Sequence, residues 1–209
     1  MSLLTKLFHF VLLTIQKYNI DESHGLSHSM NVLHYADSIY ESELVVNPYL
    51  EKQKRIIYIS AILHDMCDKK YTDENKGLCE IGDFLDNEIT KEEKDIIKRI
   101  VNTMSYSKVK KHGFPDLKEY QHAYNIIREA DLLTAYDFDR CMIYNMYKKG
   151  GNIETAFNDA NELFEKRVFK HNDDGLFITD YYKKCSQLLH INAKTRIGVW
   201  KNIVKTPLI

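Results

Sequence analysis

Glycine and proline are scarce in this chain, and that limits its folds more than any other feature. It has 8 Gly and 3 Pro in 209 residues, together about 5%, where an average protein has about 12%. Tight hairpins need residues that tolerate positive φ or pre-set a turn, so a chain this poor in them does not build a sandwich or a barrel. A collagenous or low-complexity chain is excluded for the same reason. Long helices joined by few tight turns are expected, in one domain of ordinary size spanning residues 1–209.

Apolar spacing agrees. Leu4, Leu7, Val11, Ile15 and Tyr18 recur at steps of three and four, the signature of a first helix over about Leu3 to Tyr18 packed on the core. A second helix is expected from near Ser23 past Tyr40, with Met30, Val32, Leu33, Ala36 and Ile39 apolar. The third carries Ile56, Ile57, Ile59, Ala61, Ile62 and Leu63 and ends near Asp65; apolar on most sides, it should be central. Thr90 and Glu93 have capping-box spacing before the stripe Ile96, Ile97, Ile100 and Val101. SYSKVKKHGFP, Ser105 to Pro115, reads as an exposed loop. A helix through Tyr124, Ile127, Ala130 and Leu133 follows, then helices over about Asp137–Tyr147, Ile153–Phe164 and Ile178–Leu189. His171 to Gly175 reads as a polar turn, and the tail after Trp200 as loose.

Charge and cysteines narrow the function classes. The 29 Lys+Arg nearly cancel the 30 Asp+Glu, for a net charge of -1, so a sequence-blind duplex binder, which needs a basic excess, is not indicated. Cys67, Cys79, Cys141 and Cys185 form no CxxC pair, which argues against a zinc ribbon or a redox motif. They read as reduced, mostly buried thiols of a cytoplasmic protein. The apolar run Leu7–Ile15 is too short to span a bilayer and has no small-residue cleavage site, so neither a membrane anchor nor a signal peptide is expected. The tyrosines at helical spacing read as core and interface residues, which leaves room for a homodimer.

The chemistry lies in scattered His and Asp. SHGLSHSMNVLHYA holds His24, His28 and His34, with His24 and His28 four apart on one helical face. SAILHDMCDKKY holds adjacent His64 and Asp65, with Asp68 three residues on, and NIIREADLLTAY holds Asp131. Nine His and sixteen Asp in 209 residues give about 0.7 HD dipeptides by chance, so the dipeptide alone decides nothing. Its context counts for more. An apolar helix ending in two ionisable groups buries charge unless something pairs with it, and a divalent cation of intermediate hardness suits imidazole and carboxylate together.

An H…HD…D pattern on helices is the signature of the HD-domain phosphohydrolase superfamily. The chain resembles a small stand-alone member over about Ser23 to Arg167, through SHGLSHSMNVLHYA, AILHDMCDKKY, IVNTMSYSK and READLLTAY, with a weaker echo at NELFEKRVF. The resemblance implies an all-α helical bundle with a metal site between its central helices. It implies His28, His64, Asp65 and Asp131 as ligands of one divalent ion, Mn²⁺ first, with Mg²⁺, Co²⁺, Ni²⁺, Fe²⁺ or Zn²⁺ as alternatives. Asp68 falls where many relatives carry an acidic residue, Lys70 where this subgroup carries a lysine, and His24 on the first His of an SHDxxH-like segment. Gly25, Glu129 and Thr134 depart from the pattern, standing where aspartates are common, which bears on substrate preference rather than on the ligands.

Four protein ligands on an octahedral ion would leave two positions, one for water and one for a phosphate oxygen. Asp68 and His24 are then the candidate catalytic residues, Asp68 moving a proton to or from water or the leaving group. Lys70 and Lys108 are candidates for substrate phosphates, with His24 beside them. The implied activity is hydrolysis of a phosphate ester or anhydride of a small molecule, a nucleotide first. The rival from another class is a non-catalytic ligand- or partner-binding module with a structural or vestigial metal. A third reading, a di-iron oxygenase, needs a second metal; His112 and His122 do not have the spacing for one and read as surface or structural.

Overall fold

Most helices begin where a side chain can close the free N–H groups of the first turn. Ser2, Asp73, Thr90, Asp137, Asn152 and Thr179 each accept a backbone N–H from the first turn of the helix that follows. At Thr90 the capping box is complete, with Glu93 bonding back to the Thr90 N–H. The computed structural model describes residues 1–175 and 177–206. They are all-α, with no strand among the described residues.

The helices are α1 (Leu3–Tyr18), α2 (Leu26–Leu44), α3 (Lys54–Leu63), α4 (Glu74–Leu85), α5 (Lys91–Thr103), α6 (Tyr106–His112), α7 (Gln121–Thr134), α8 (Phe138–Lys148), α9 (Ile153–Lys166) and α10 (Asp180–Lys205). As expected, α3 is central: α1, α2, α5 and α7 all pack on it, and Ile56, Ile57, Ile59, Ala61, Ile62 and Leu63 are buried. Each large aliphatic side chain so buried contributes about 1.5–3 kcal/mol, which fixes the C-terminal end of α3 against α2 and α7. Among the described residues no helix is long and apolar enough to cross a membrane.

Several expectations change. The second helix does not run from Ser23. Asp21 accepts from the Ser23 N–H and hydroxyl, which winds Glu22–His24 into a 3₁₀ turn, and α2 starts after Gly25. Ser105–Pro115 is not an open loop. It forms α6, because Val109 and Tyr106 pack inward, and it ends at Gly113 with φ +76°. No expectation covered α4, whose apolar stripe is short. A methyl on Gly77 would sit 2.6 Å from Cys67 Cβ, so only glycine lets α4 lie against the segment that follows α3. The last helix is longer than Ile178–Leu189 and runs through Trp200 to Lys205. Its second half exposes Val199 and Ile203, but Ala193, Ile197, Trp200 and Val204 recur at steps of four, three and four and pack on the core, a stripe that the expectation of a loose tail passed over. Residues 207–209 of the tail lie outside the described residues. Leu4 and Met30 are exposed rather than core. Of the four free cysteines only Cys67 is buried, and burial pushes its thiol up to about 12. His171 does stand in a turn, but it is buried rather than a polar surface residue.

Candidate metal centre

Three helices deliver the candidate ligands. His64 continues the helical backbone one residue past α3, and its Nδ1 meets Ala61 O at 2.8 Å. A carbonyl only accepts, so Nδ1 carries a hydrogen and Nε2 is the nitrogen turned toward the cluster. Asp65 follows directly. α2 supplies His28 from its first turn, and the C-terminal half of α7 supplies Asp131. The Asp131 carbonyl accepts the Thr134 hydroxyl at 2.6 Å.

The four side chains converge. His28 Nε2 and His64 Nε2 are 3.0 Å apart. Asp65 Oδ2 lies 3.1 Å from the first and 3.2 Å from the second, and Asp131 Oδ1 lies 3.5 and 3.8 Å from them. Neighbouring corners of an octahedron with ligand bonds of about 2.1 Å stand about 3.0 Å apart. His28, His64 and Asp65 match such corners, with Asp131 slightly wider. Two imidazole nitrogens facing each other at 3.0 Å can share at most one proton. A cation between them would satisfy both, so the donor set fits a divalent metal of the imidazole–carboxylate class.

The electrostatics are those of a coupled cluster. Burial works against a charged His64 ring, but Asp65 and Asp131 outweigh it and lift the pKa to about 9. Burial and the Arg140 cation hold His28 below its ordinary value. Burial also opposes charge on Asp65 and Asp131, yet the two imidazoles keep both carboxyls below their usual range. Arg140 Nη1 lies 3.0 Å from both His28 Nδ1 and Ser23 O. Since arginine only donates, this contact leaves the His28 hydrogen on Nε2. Metal binding through Nε2 requires the other tautomer, with Nδ1–H turned to Thr134 Oγ1 at 3.5 Å.

A cavity of about 380 Å³ opens over the cluster, and His24, Asp68, Lys70 and Lys108 all line it. His24 stands in the 3₁₀ turn rather than on α2, but its ring still comes within 6.0 Å of the His28 ring. The hydroxyls of Ser23 and Tyr71 both donate to Asp21. Their oxygens, 2.7 and 3.0 Å from His24 Nδ1, therefore accept its hydrogen. That leaves His24 Nε2 to accept from Lys70 Nζ at 3.0 Å. Lys70 Nζ also lies 3.3 Å from Asp68 Oδ2. Lys108 is more fully engaged, with Glu74 at 2.6 Å and Asn102 O at 2.7 Å.

The other singled-out residues lie elsewhere. His122 Nε2 pairs with Glu43 at 3.0 Å, while His34 and His112 are exposed. Glu129, two residues before Asp131, is fully buried and accepts from the Ile178 and Thr179 N–H groups. Sequence reasoning missed Asp21, Tyr71, Tyr144, Arg140 and Arg167, the last three of which line the cavity. The available signal was arginine's rarity, six in the chain against 23 Lys, since arginine offers a planar fork that lysine lacks.

No family model matches the chain, and no curated protein does. It is similar in structure to a Lactobacillus plantarum protein solved as a structural genomics target, with TM-score 0.64 and 18% identity over 95% of this chain and 98% of that one. At that identity the likeness establishes a shared all-α fold.

Proposed function

We propose that this protein is a divalent-metal-dependent phosphohydrolase of the HD type, cleaving a phosphate ester or anhydride of a small molecule, with nucleotides as the first class to test. The observation that carries the reading is the meeting of two imidazole Nε2 atoms and two carboxylates, 3.0–3.8 Å apart, on the floor of one cavity. His28, His64, Asp65 and Asp131 would hold the ion. When bound, such an ion acidifies water and offsets phosphoryl charge.

The remaining work falls to the chain. Asp68 Oδ1 is held by the Lys70 N–H at 2.9 Å, and Oδ2 is the atom that takes a proton from water and passes it to the leaving group. The Asp21–Ser23–Tyr71 set holds His24 in one tautomer, so its Nε2 and Lys70 Nζ share one hydrogen bond, and that pair orients an incoming phosphate. Lys108 holds a phosphate only by exchanging its bond to Glu74.

The test is a nucleotide and phosphate-ester panel in Mn²⁺, Mg²⁺, Co²⁺ and Ni²⁺, with metal content measured alongside. Asp65→Ala should lose both the metal and phosphate release; normal turnover by this variant would sink the reading. A second reading, a non-catalytic binding module, draws on the Arg140 contact, which favours a proton on His28 Nε2. Metal-replete protein that releases no phosphate from any of the panel would select it.

A further inference from the structure

Arg167 immediately follows α9 and turns its guanidinium into the cavity over the metal cluster. It stands over the Tyr106 ring, with Cζ 4.2 Å from the ring centroid, and Tyr106 is itself anchored through its hydroxyl to Asp174. Among the described residues no hydrogen-bond acceptor meets this guanidinium. Arg140 shares the cavity and uses only Nη1, on Ser23 O and His28 Nδ1. Of the cavity's lysines, Lys108 is bonded to Glu74 and Asn102 and Lys70 to Asp68 and His24, while Lys69 stands exposed at the rim.

Two guanidiniums thus face one half-buried space with most of their donors unused. A divalent ion would offset Asp65 and Asp131, leaving both arginine charges uncompensated. A tetrahedral dianion balances them, and its oxygens match the planar fork. The cation–π contact with Tyr106 orders the Arg167 side chain before any ligand arrives, which lowers the entropy cost of binding.

We propose that Arg167, braced by Tyr106 and working with Arg140, is the principal anion-binding residue of this cavity and holds a phosphate group beside the metal cluster. The identity of the anion as phosphate rests on the phosphohydrolase reading; the placement of Arg167 does not.

The experiment is calorimetric titration of inorganic phosphate into Mn²⁺-loaded and metal-free protein, for wild type, R167Q, R167K and R196Q. Arg196 is a surface residue paired with Asp139 and serves as the control. Expected is a loss of phosphate affinity of tenfold or more in R167Q, a smaller loss in R167K, no change in R196Q, and Mn²⁺ affinity within about twofold of wild type throughout. Wild-type phosphate affinity in R167Q, or no phosphate binding by the wild type in either state, overturns the proposal. If R167Q does not fold, R167K decides: a threefold or larger loss supports it and unchanged affinity overturns it. Failure of the wild type to bind Mn²⁺ would bring down the metal reading alone, because the metal-free titration still tests Arg167.

Discussion

Glu129 and Asp131 stand two residues apart on α7, and their surroundings are opposite. Glu129 is fully buried, and its two oxygens take the Ile178 N–H at 2.6 Å, the Thr179 N–H at 3.1 Å and the Thr179 hydroxyl, with Arg128 Nη2 at 3.4 Å. Asp131 keeps a quarter of its side chain open to the cavity, and what its oxygen faces is two imidazole nitrogens that also face each other. Two buried histidines differ in another way, by the charges around them. His64 is buried among carboxylates and lifted to about 9. His171 is buried, neither ring nitrogen meets a hydrogen-bond partner among the described residues, and burial pushes it down to about 4. A buried charge whose donors and acceptors are all matched by the chain holds the fold together. A cluster whose partners do not complete one another, next to open space, is built to receive something.

The largest expected effects pull the two regions apart. Asp131→Asn should keep the fold and lower Mn²⁺ affinity by more than about 100-fold, since it removes a charged ligand. Glu129→Ala should do the reverse and cost about 3–5 kcal/mol of stability, because it strips the acceptor from three buried donors. Chemical denaturation and metal titration of both variants check this, and a Glu129 variant that is stable but metal-free would break the comparison.

A smaller effect is expected from pH. His171 has a folded value depressed to about 4, against an unfolded value of about 6.5. The unfolded chain therefore binds the extra proton between those values. The His171 contribution is fully present above pH 6.5 and is lost as pH falls toward 4, by about 2 kcal/mol between pH 7 and pH 5. Denaturation at several pH values should show that slope, and His171→Phe should flatten it. The smallest effect belongs to Thr134→Val, which removes the oxygen that faces His28 Nδ1. Mn²⁺ affinity should fall about tenfold with little change in stability; no change would show that another group orients the His28 ring.

Much of the fold was legible because helix signals are local. The scarcity of Gly and Pro, the stripe Leu7–Val11, the all-round apolar run of α3 and the Thr90–Glu93 box each act within a few residues, and each reappears as expected. Where local signals were weak, the expectation failed. The amphipathic signal of α6 is masked by three lysines, α4 depends on a close approach at Gly77, and the break at Gly25 depends on an Asp21 side chain that the apolar period does not register.

By itself the sequence determined an all-α chain and supplied the four residues His28, His64, Asp65 and Asp131, because helix periodicity and a spaced motif are properties of the linear chain. Only the tertiary structure decided that these four meet within 3.0–3.8 Å and that Asp131 faces the cavity while Glu129 faces the interior. It also decided that Arg140 and Arg167 bring guanidiniums with unused donors to the cavity. The physical reason is that a partner brought from more than a hundred residues away is chosen by how helices pack, and packing is settled by the whole core rather than by any one segment.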